Sequence, residues 1–326
     1  MADCPGCPVR REHERQRWVA PRREVPLSGI LNVDKPPAMT SHDVVDAVRR
    51  VAGQRKVGHA GTLDPMASGV LLVCLGQATR VAEYLMAGRK VYRATIVLGQ
   101  TTTTYDLEGE VVSSGGRTDF SRAEVEAALA TFAGPIEQVP PMYSALKRQG
   151  QPLYKLARQG REVERRSRLV EVDRLDLISW SPPALIVEVS CSPGTYVRSL
   201  AHDLGQTLGS GAVLAALVRL GSGRFTLEQA VSLARLEEAF EHGQEAGYVW
   251  PMDEALLDLP AVILGTEDAR RLVQGQAVPA RPAEGAEEPA GDTGPSFRAY
   301  SSGGDLLAIV TYGAAGQEWL PHKVFT

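Results

Sequence analysis

The stretch Lys56–Arg80, KVGHAGTLDPMASGVLLVCLGQATR, constrains this chain more than any other. Two glycines, Gly58 and Gly61, precede one acidic residue, Asp64, held between Leu63 and Pro65. Proline fixes its own φ and keeps the residue before it out of the α region, while glycine permits a sharp or positive-φ bend. A small-residue turn, Ala67-Ser68-Gly69, leads into the apolar run Val70–Leu75. That run is too short for a helix and β-branched enough to predict a buried strand. One carboxylate therefore sits on a stiff loop leading into core, with His59 and Thr62 beside it. Taken alone, the pattern fits two readings equally: a turn whose Asp accepts backbone hydrogen bonds, or a carboxylate set out for chemistry.

At 326 residues the chain has room for one large domain and a small one. Apolar residues at 44% and charged residues at 23% are ordinary for a globular protein. No apolar run approaches the roughly 18 to 20 residues that span a bilayer, and the arginine-bearing N-terminus lacks the apolar stretch of a secretory signal. Cys74 and Cys191 lie in strand-like apolar runs and read as small buried hydrophobes. Cys4-Pro-Gly-Cys7 has metal-ligand spacing, but a closed zinc site takes four ligands and only His13 follows nearby. No metal is expected there, and the setting expected is reducing and cytoplasmic. The net charge of −4 argues mildly against a nucleic-acid partner. Its distribution argues the other way: between Lys147 and Arg168 stand eight Lys or Arg against Glu162 and Glu164. Screening makes nearby charges dominate, so this patch suits a polyanion, although a solvated helix face would look the same.

Residues 1–26 are charged and lack hydrophobic period, so they read as a disordered extension. Ser28–Pro37 reads as a strand stopped by proline. Thr40-Ser41 then caps a helix with Val44, Val45, Val48 and Val51 on one face and Gly53 beyond its end. Another helix is expected over Thr79–Met86, and Lys90–Gly99 alternates like a strand. Ser121 with Glu124 forms a capping box for a helix over Phe120–Phe132. Leu169–Ser179 and Ala184–Cys191 read as two strands joined at Ser181-Pro-Pro183. Tyr196 and Arg198 lie two apart, which on a strand would turn both to one face. Beyond Leu259 come a strand over Val262–Leu264, a helix over Thr266–Leu272, a Pro/Ala/Glu/Gly-rich loop at Pro279–Pro295, and strands at Phe297–Tyr300, Leu306–Tyr312 and Trp319–Phe325.

The signature stretch resembles that of TruB-type tRNA pseudouridine synthases, G-H-x-G-x-L-D-P-x-A-x-G with a G-x-A-T-[RK] tail. A dozen positions in fixed order make this far more specific than a lone glycine motif, and similar segments extend over roughly Ser28 to Gly223. The opening strand resembles the family's G-x-L-x-[LV]-D-K-P. Lys90-Val-Tyr92 is similar to its K-x-Y, and Ser192–Leu200 to its C-S-x-G-T-Y-[IV]-R-[ST]-L. Gly211–Arg219 is similar to its segment that begins with G and ends in L-x-R. The loop TTTTYDLEG matches the family's T-D-T-x-D-x-x-G at Asp106 and Gly109 but has Thr103 in place of the earlier Asp.

The resemblance implies an α+β fold. A mixed, largely antiparallel sheet with flanking helices would occupy residues 27–250, with an RNA-binding insertion at about 135–168. A small β-rich domain similar to the PUA type would follow at 251–326. It further implies an isomerase of uridine 55 in the T-arm of tRNA, working by base flipping without metal or organic cofactor. The partner expected is the tRNA T-arm stem-loop, met by a monomer with no guide RNA and no membrane. The catalytic residues implied are Asp64, Arg198 paired with it (an adjacent guanidinium favours an ionised carboxylate), and Tyr196 as an acid/base group. Tyr92 and Leu217 would hold the uracil, His59 would aid its extrusion, Lys35 and Asp106 would support the site, and Arg219, Lys147 and Arg158 would lie near RNA. Tyr143 and Tyr154 can pack on sugar or base, with lysine and arginine on phosphate. Two other classes remain: a non-catalytic tRNA-binding or folding protein, and a uracil-releasing glycosidase, which usually has a second acid nearby.

Overall fold

A computed structural model describes residues 26–325 apart from 145, 149, 162, 281–295 and 314–316. The expected N-terminal extension, Cys4, Cys7 and nearly all of the Pro/Ala/Glu/Gly-rich loop fall outside the described residues, as do the side chains of Lys147, Tyr154 and Arg158.

In chain order the elements are β1 (Gly29–Lys35), α1 (Ser41–Ala52), β2 (Val57–His59), β3 (Ser68–Leu75), α2 (Ala82–Ala87) and β4 (Lys90–Leu98). A hairpin of β5 (Gln100–Thr102) and β6 (Val111–Ser114), then α3 (Arg122–Ala130) and β7 (Gly134–Gln138), lead to the basic segment. That segment holds the two-residue strands β8 (Lys147–Arg148) and β9 (Gln151–Pro152) and the short helix α4 (Leu153–Arg158). Then come β10 (Arg168–Ser181), β11 (Ala184–Cys191), α5 (Val197–Thr207), β12 (Ala212–Ser222), β13 (Phe225–Thr226), β14 (Val231–Ser232), α6 (Leu233–Glu241) and β15 (Val249–Trp250). The chain ends with β16 (Ala261–Leu264), α7 (Thr266–Val273), β17 (Val278–Pro279), β18 (Ser296–Ser301), β19 (Leu306–Gly313) and β20 (Glu318–Val324).

The large sheet runs β14-β1-β3-β12-β4-β11-β10-β7. Only β1–β14 and β3–β12 pair in parallel along it. This is the mixed, largely antiparallel α+β architecture that the sequence implies. A separate five-stranded sheet, β16-β18-β19-β20-β17, forms from residues after Leu259. Among the described residues no helix is long and apolar enough to cross a membrane.

Strand β3 is central because both its faces are covered. Leu71, Val73 and Leu75 enter the main core with α1, α5 and α6, whereas Val70, Leu72 and Cys74 pack with Leu85 of α2 and with Ile309 and Phe325. A strand covered on both sides reads as an unbroken apolar run, which is how Val70–Leu75 reads. Helix α1 has the caps its sequence predicts. The Thr40 hydroxyl accepts from Asp43 N at 3.1 Å while Asp43 Oδ2 accepts from Thr40 N at 2.8 Å, and Gly53 closes the helix at φ 59°. The capping box at Ser121 and Glu124 is likewise present on α3. Over Thr79–Met86 the expected single helix is instead a 3₁₀ turn at Gly76–Arg80 followed by the six-residue α2.

The small residues that open β3 are demanded by close packing. Gly69 has φ +97°, and a Cβ there would lie 2.3 Å from the Arg219 carbonyl oxygen on the parallel neighbour β12. An L side chain meets both a disfavoured backbone and a backbone wall. Gly69→Ala is therefore expected to destabilise the protein by about 2 kcal/mol or more. Equilibrium urea unfolding checks this; an unchanged midpoint would contradict the packing described.

Candidate active site

Asp64 stands on the loop between β2 and β3. Its carbonyl accepts from Ala67 N at 3.1 Å, and the Pro65 carbonyl accepts from Ala38 N at 2.9 Å, so the loop is pinned on both sides of the carboxylate. Arg198 meets that carboxylate two-pronged: Nε donates to Oδ2 at 2.8 Å and Nη2 to Oδ1 at 3.0 Å. The remaining donors are also engaged. Nη2 donates to the Tyr143 carbonyl at 2.7 Å, and Nη1 donates to the Thr104 carbonyl at 3.1 Å and faces Asp106 Oδ2 at 3.5 Å. The Arg198 side chain is 4% exposed and that of Asp64 33%. The cation is therefore the buried, fixed member of the pair, and the carboxylate is the member that meets solvent.

The spacing of Tyr196 and Arg198 suggested a shared strand face, and here the structure corrects the sequence. Strand β11 ends at Cys191, the chain turns at Pro193-Gly194, and Tyr196 becomes the N-cap residue of α5 with Arg198 in its first turn. The reason is the apolar period Val197, Leu200, Ala201, Leu204, a helical i, i+3, i+4, i+7 pattern, whose members are all buried. His202 and Asp203 lie in the middle of this helix. Gln138, which sequence reasoning missed, holds Tyr196 in place. Its Oε1 accepts from Tyr196 N at 2.7 Å and its Nε2 donates to the Tyr196 carbonyl at 3.1 Å. Burial pushes the Tyr196 phenol above its ordinary value.

Lys35 closes the far side of the loop, fully buried at the end of β1. Its Nζ donates to the carbonyls of Met39 (2.5 Å), Pro36 (3.0 Å) and Pro65 (3.2 Å). Burial lowers its ammonium to about 8, against the opposing pull of Asp64. Arg219, expected near RNA, is instead 1% exposed on β12. Its Nε donates to the Val70 carbonyl at 2.6 Å, Nη2 to Gly61 at 3.1 Å and Nη1 to Thr62 at 3.5 Å. Parallel pairing with β3 turns this guanidinium under the signature loop, where it holds the backbone and cannot reach a surface ligand.

Tyr92 pairs opposite Arg219 across β4 and β12, and Leu217 sits two residues earlier on β12; both belong to the main core. Burial raises the Tyr92 phenol, with the Arg219 charge pulling the other way. His59 ends β2, and burial, then the charges of His42 and Arg219, lower its imidazole below the ordinary value. Asp106 is buried in the loop after β5, where Oδ1 accepts from the Thr104 hydroxyl and from Glu108 N at 3.0 Å. Fold and pairing thus gather Asp64, Arg198 and Asp106 into one cluster, with Tyr196, Lys35, Tyr92, Leu217 and His59 on the elements around it. The carbonyls of Thr104 and Tyr143 complete the arginine's shell; sequence gave no signal for them, because any residue type carries a carbonyl.

Known proteins resemble this chain over most of its length. Residues 49–197 match the model of the TruB family pseudouridylate synthase N-terminal domain, and 198–264 that of the tRNA pseudouridylate synthase B C-terminal domain. The tRNA pseudouridine synthase B of Pseudomonas aeruginosa strain UCBPP-PA14 is 49% identical over 77% of this chain and 84% of its own length. That of Dehalococcoides mccartyi strain BAV1 is 42% identical over 92% of this chain and 97% of its own. Among solved structures, the crystal structure of a Cbf5-Nop10-Gar1 complex superposes with a TM-score of 0.68 and 28% identity, over 91% of this chain and 84% of that one. On its matched length and on this degree of identity, the chain belongs to the TruB family of pseudouridine synthases.

Proposed function

We propose that this protein is a tRNA pseudouridine synthase that isomerises uridine 55 in the T-arm. The observation that carries the reading is the carboxylate of Asp64, a third exposed and gripped from behind by a buried guanidinium. The relatives named tRNA pseudouridine synthase B support tRNA as the substrate. The reaction breaks the C1′–N1 glycosidic bond, turns the uracil in place and joins C5 to C1′. A proton leaves C5 and one arrives at N1, so atoms balance without an outside reactant.

The target nucleotide lies within a folded arm and must be flipped out, at roughly a few kcal/mol of unstacking. Asp64 acts on the ribose or the base to free the uracil, and Arg198 keeps the carboxylate's orientation through the step because two parallel hydrogen bonds fix a plane as well as a distance. Tyr92 and Leu217 support the ring while it turns, and His59, held neutral by burial, aids extrusion without adding charge. Tyr196 keeps its proton at neutral pH, since burial raises it. It therefore enters as a hydroxyl donor and takes the C5 proton only while passing its own on.

The basic segment, with Arg161, Arg166 and Arg168 exposed, suits the phosphates of the stem-loop and supports an enzyme that grips tRNA by itself, without a guide RNA. The units 27–250 and 251–326 serve as catalytic and accessory RNA-binding domains, the second built on its own five-stranded sheet and core.

Incubation with tRNA carrying tritium at uracil C5 tests the reaction: wild type releases tritium stoichiometrically with no free uracil. Asp64→Asn abolishes release while leaving tRNA affinity within about tenfold, because phosphate contacts supply most of the affinity. Normal turnover by that variant would end the assignment. Free uracil would point to a glycosidase, and tight binding without release to a tRNA-folding protein. Replacing Arg161, Arg166 and Arg168 together by Gln weakens binding and makes the log–log salt slope shallower by about one for each phosphate contact removed. A salt titration that leaves affinity and slope unchanged would reduce the segment to solvated surface.

A further inference from the structure

Two rings outside the mechanism stand on the two segments that its central cation joins. Tyr105 and His202 stack face to face, with centroids 4.0 Å apart and planes within 14°. Tyr105 stands between Thr104, whose carbonyl accepts from Arg198 Nη1, and Asp106, whose carboxylate faces the same nitrogen. His202 follows Arg198 by four residues on α5, so it shares that helix face. The stack therefore joins the two pieces that Arg198 bridges: its own helix and the Thr104–Asp106 arc.

The arc is held at a cost. Tyr105 has φ +66°, a left-handed backbone that an aromatic residue rarely adopts. Its backbone is fixed on two sides, with its N–H donating to the Thr102 carbonyl at 3.3 Å and its carbonyl accepting from Leu214 N at 2.9 Å. A strained residue persists where its surroundings over-determine it, and such strain gathers at functional sites. For His202, Nδ1 is buried and finds no hydrogen-bond partner among the described residues, so the ring is not kept there by that nitrogen. Burial and the Arg165 charge lower its imidazole. It thus presents a neutral flat face to Tyr105.

We infer that Tyr105 and His202 are positioning residues, whose stacked rings clamp the Thr104–Asp106 arc onto Arg198 and so fix the orientation in which Arg198 presents Asp64 to the substrate. The inference rests on the synthase reading of the Asp64 site. It assigns neither ring a contact with RNA.

The test measures single-turnover tritium release and tRNA affinity for wild type, His202→Gln, Tyr105→Asn, Tyr105→Phe and the double variant His202→Gln/Tyr105→Asn. Asparagine tolerates the left-handed backbone, so Tyr105→Asn removes the ring without adding strain. Each ring-deleting variant is expected to slow release by about three- to tenfold, the effect of an aromatic pair of ordinary strength, with tRNA affinity within about twofold of wild type. The double variant should be no slower than the slower single variant, because either change breaks the same contact. Tyr105→Phe, which keeps the ring, should release at the wild-type rate. Thermal melting identifies any variant that fails to fold, and the remaining variants still decide the outcome. Unchanged release in the ring-deleting variants, multiplied losses in the double variant, or lost affinity with release intact would each overturn the clamp. Failure of wild type itself to release tritium would instead overturn the synthase reading.

Discussion

The site depends on one desolvated cation. Removing a guanidinium from water costs several kcal/mol unless its donors find partners, and Arg198 recovers that cost by engaging all of them. Two prongs grip Asp64, the carbonyls of Thr104 and Tyr143 accept from the guanidinium, and Asp106 stands at 3.5 Å. Three segments far apart in the chain are thereby tied at one point. A lysine could not do this, because an ammonium lacks the planar fork that matches a carboxylate edge. Function and local folding therefore share the same bonds: what aims the carboxylate also closes the loops around it.

A second layer holds the backbone under the first. Lys35 and Arg219, both buried, donate to carbonyls on the two ends of the signature loop, at Pro65 and at Gly61, Thr62 and Val70. Charged side chains are seldom fully buried unless paired, and here their partners are backbone carbonyls of the loop and of Val70 near the start of β3. Beneath them β3 is covered on both faces, by the helices on one side and by α2 and the C-terminal sheet on the other. The loop that carries Asp64 thus leads into a strand buried on both faces.

Much of this was legible in sequence because the signals are local. The apolar run of β3, the valine stripe and capping box of α1, the capping box of α3 and the strand–helix–strand order after Leu259 are each read within about ten residues, and each is present. The pairing of Asp64 with Arg198, 134 residues apart, was legible only through family motifs, since no local pattern links them. Two expectations failed for identifiable reasons. The i, i+2 spacing of Tyr196 and Arg198 fits a strand, but the longer period through Leu204 is helical and outweighs it. The family motif implied that Arg219 lies near RNA, and only the parallel pairing of β12 with β3 reveals that it is buried beneath the loop.

By itself the sequence determined the chemistry on offer: one carboxylate on a proline-stiffened loop, one arginine in a G-T-Y-V-R segment, a locally basic stretch, and apolar periods that predict individual strands and helices. Periodicity and turn chemistry act over a few residues, so they are written in the chain. Only the tertiary structure decided which member of the ion pair is buried, that Gln138 and the carbonyls of Thr104 and Tyr143 complete the site, and that Tyr105 meets His202. Those are outcomes of packing between distant segments, where burial and the need to satisfy every buried polar group select partners that no local pattern specifies.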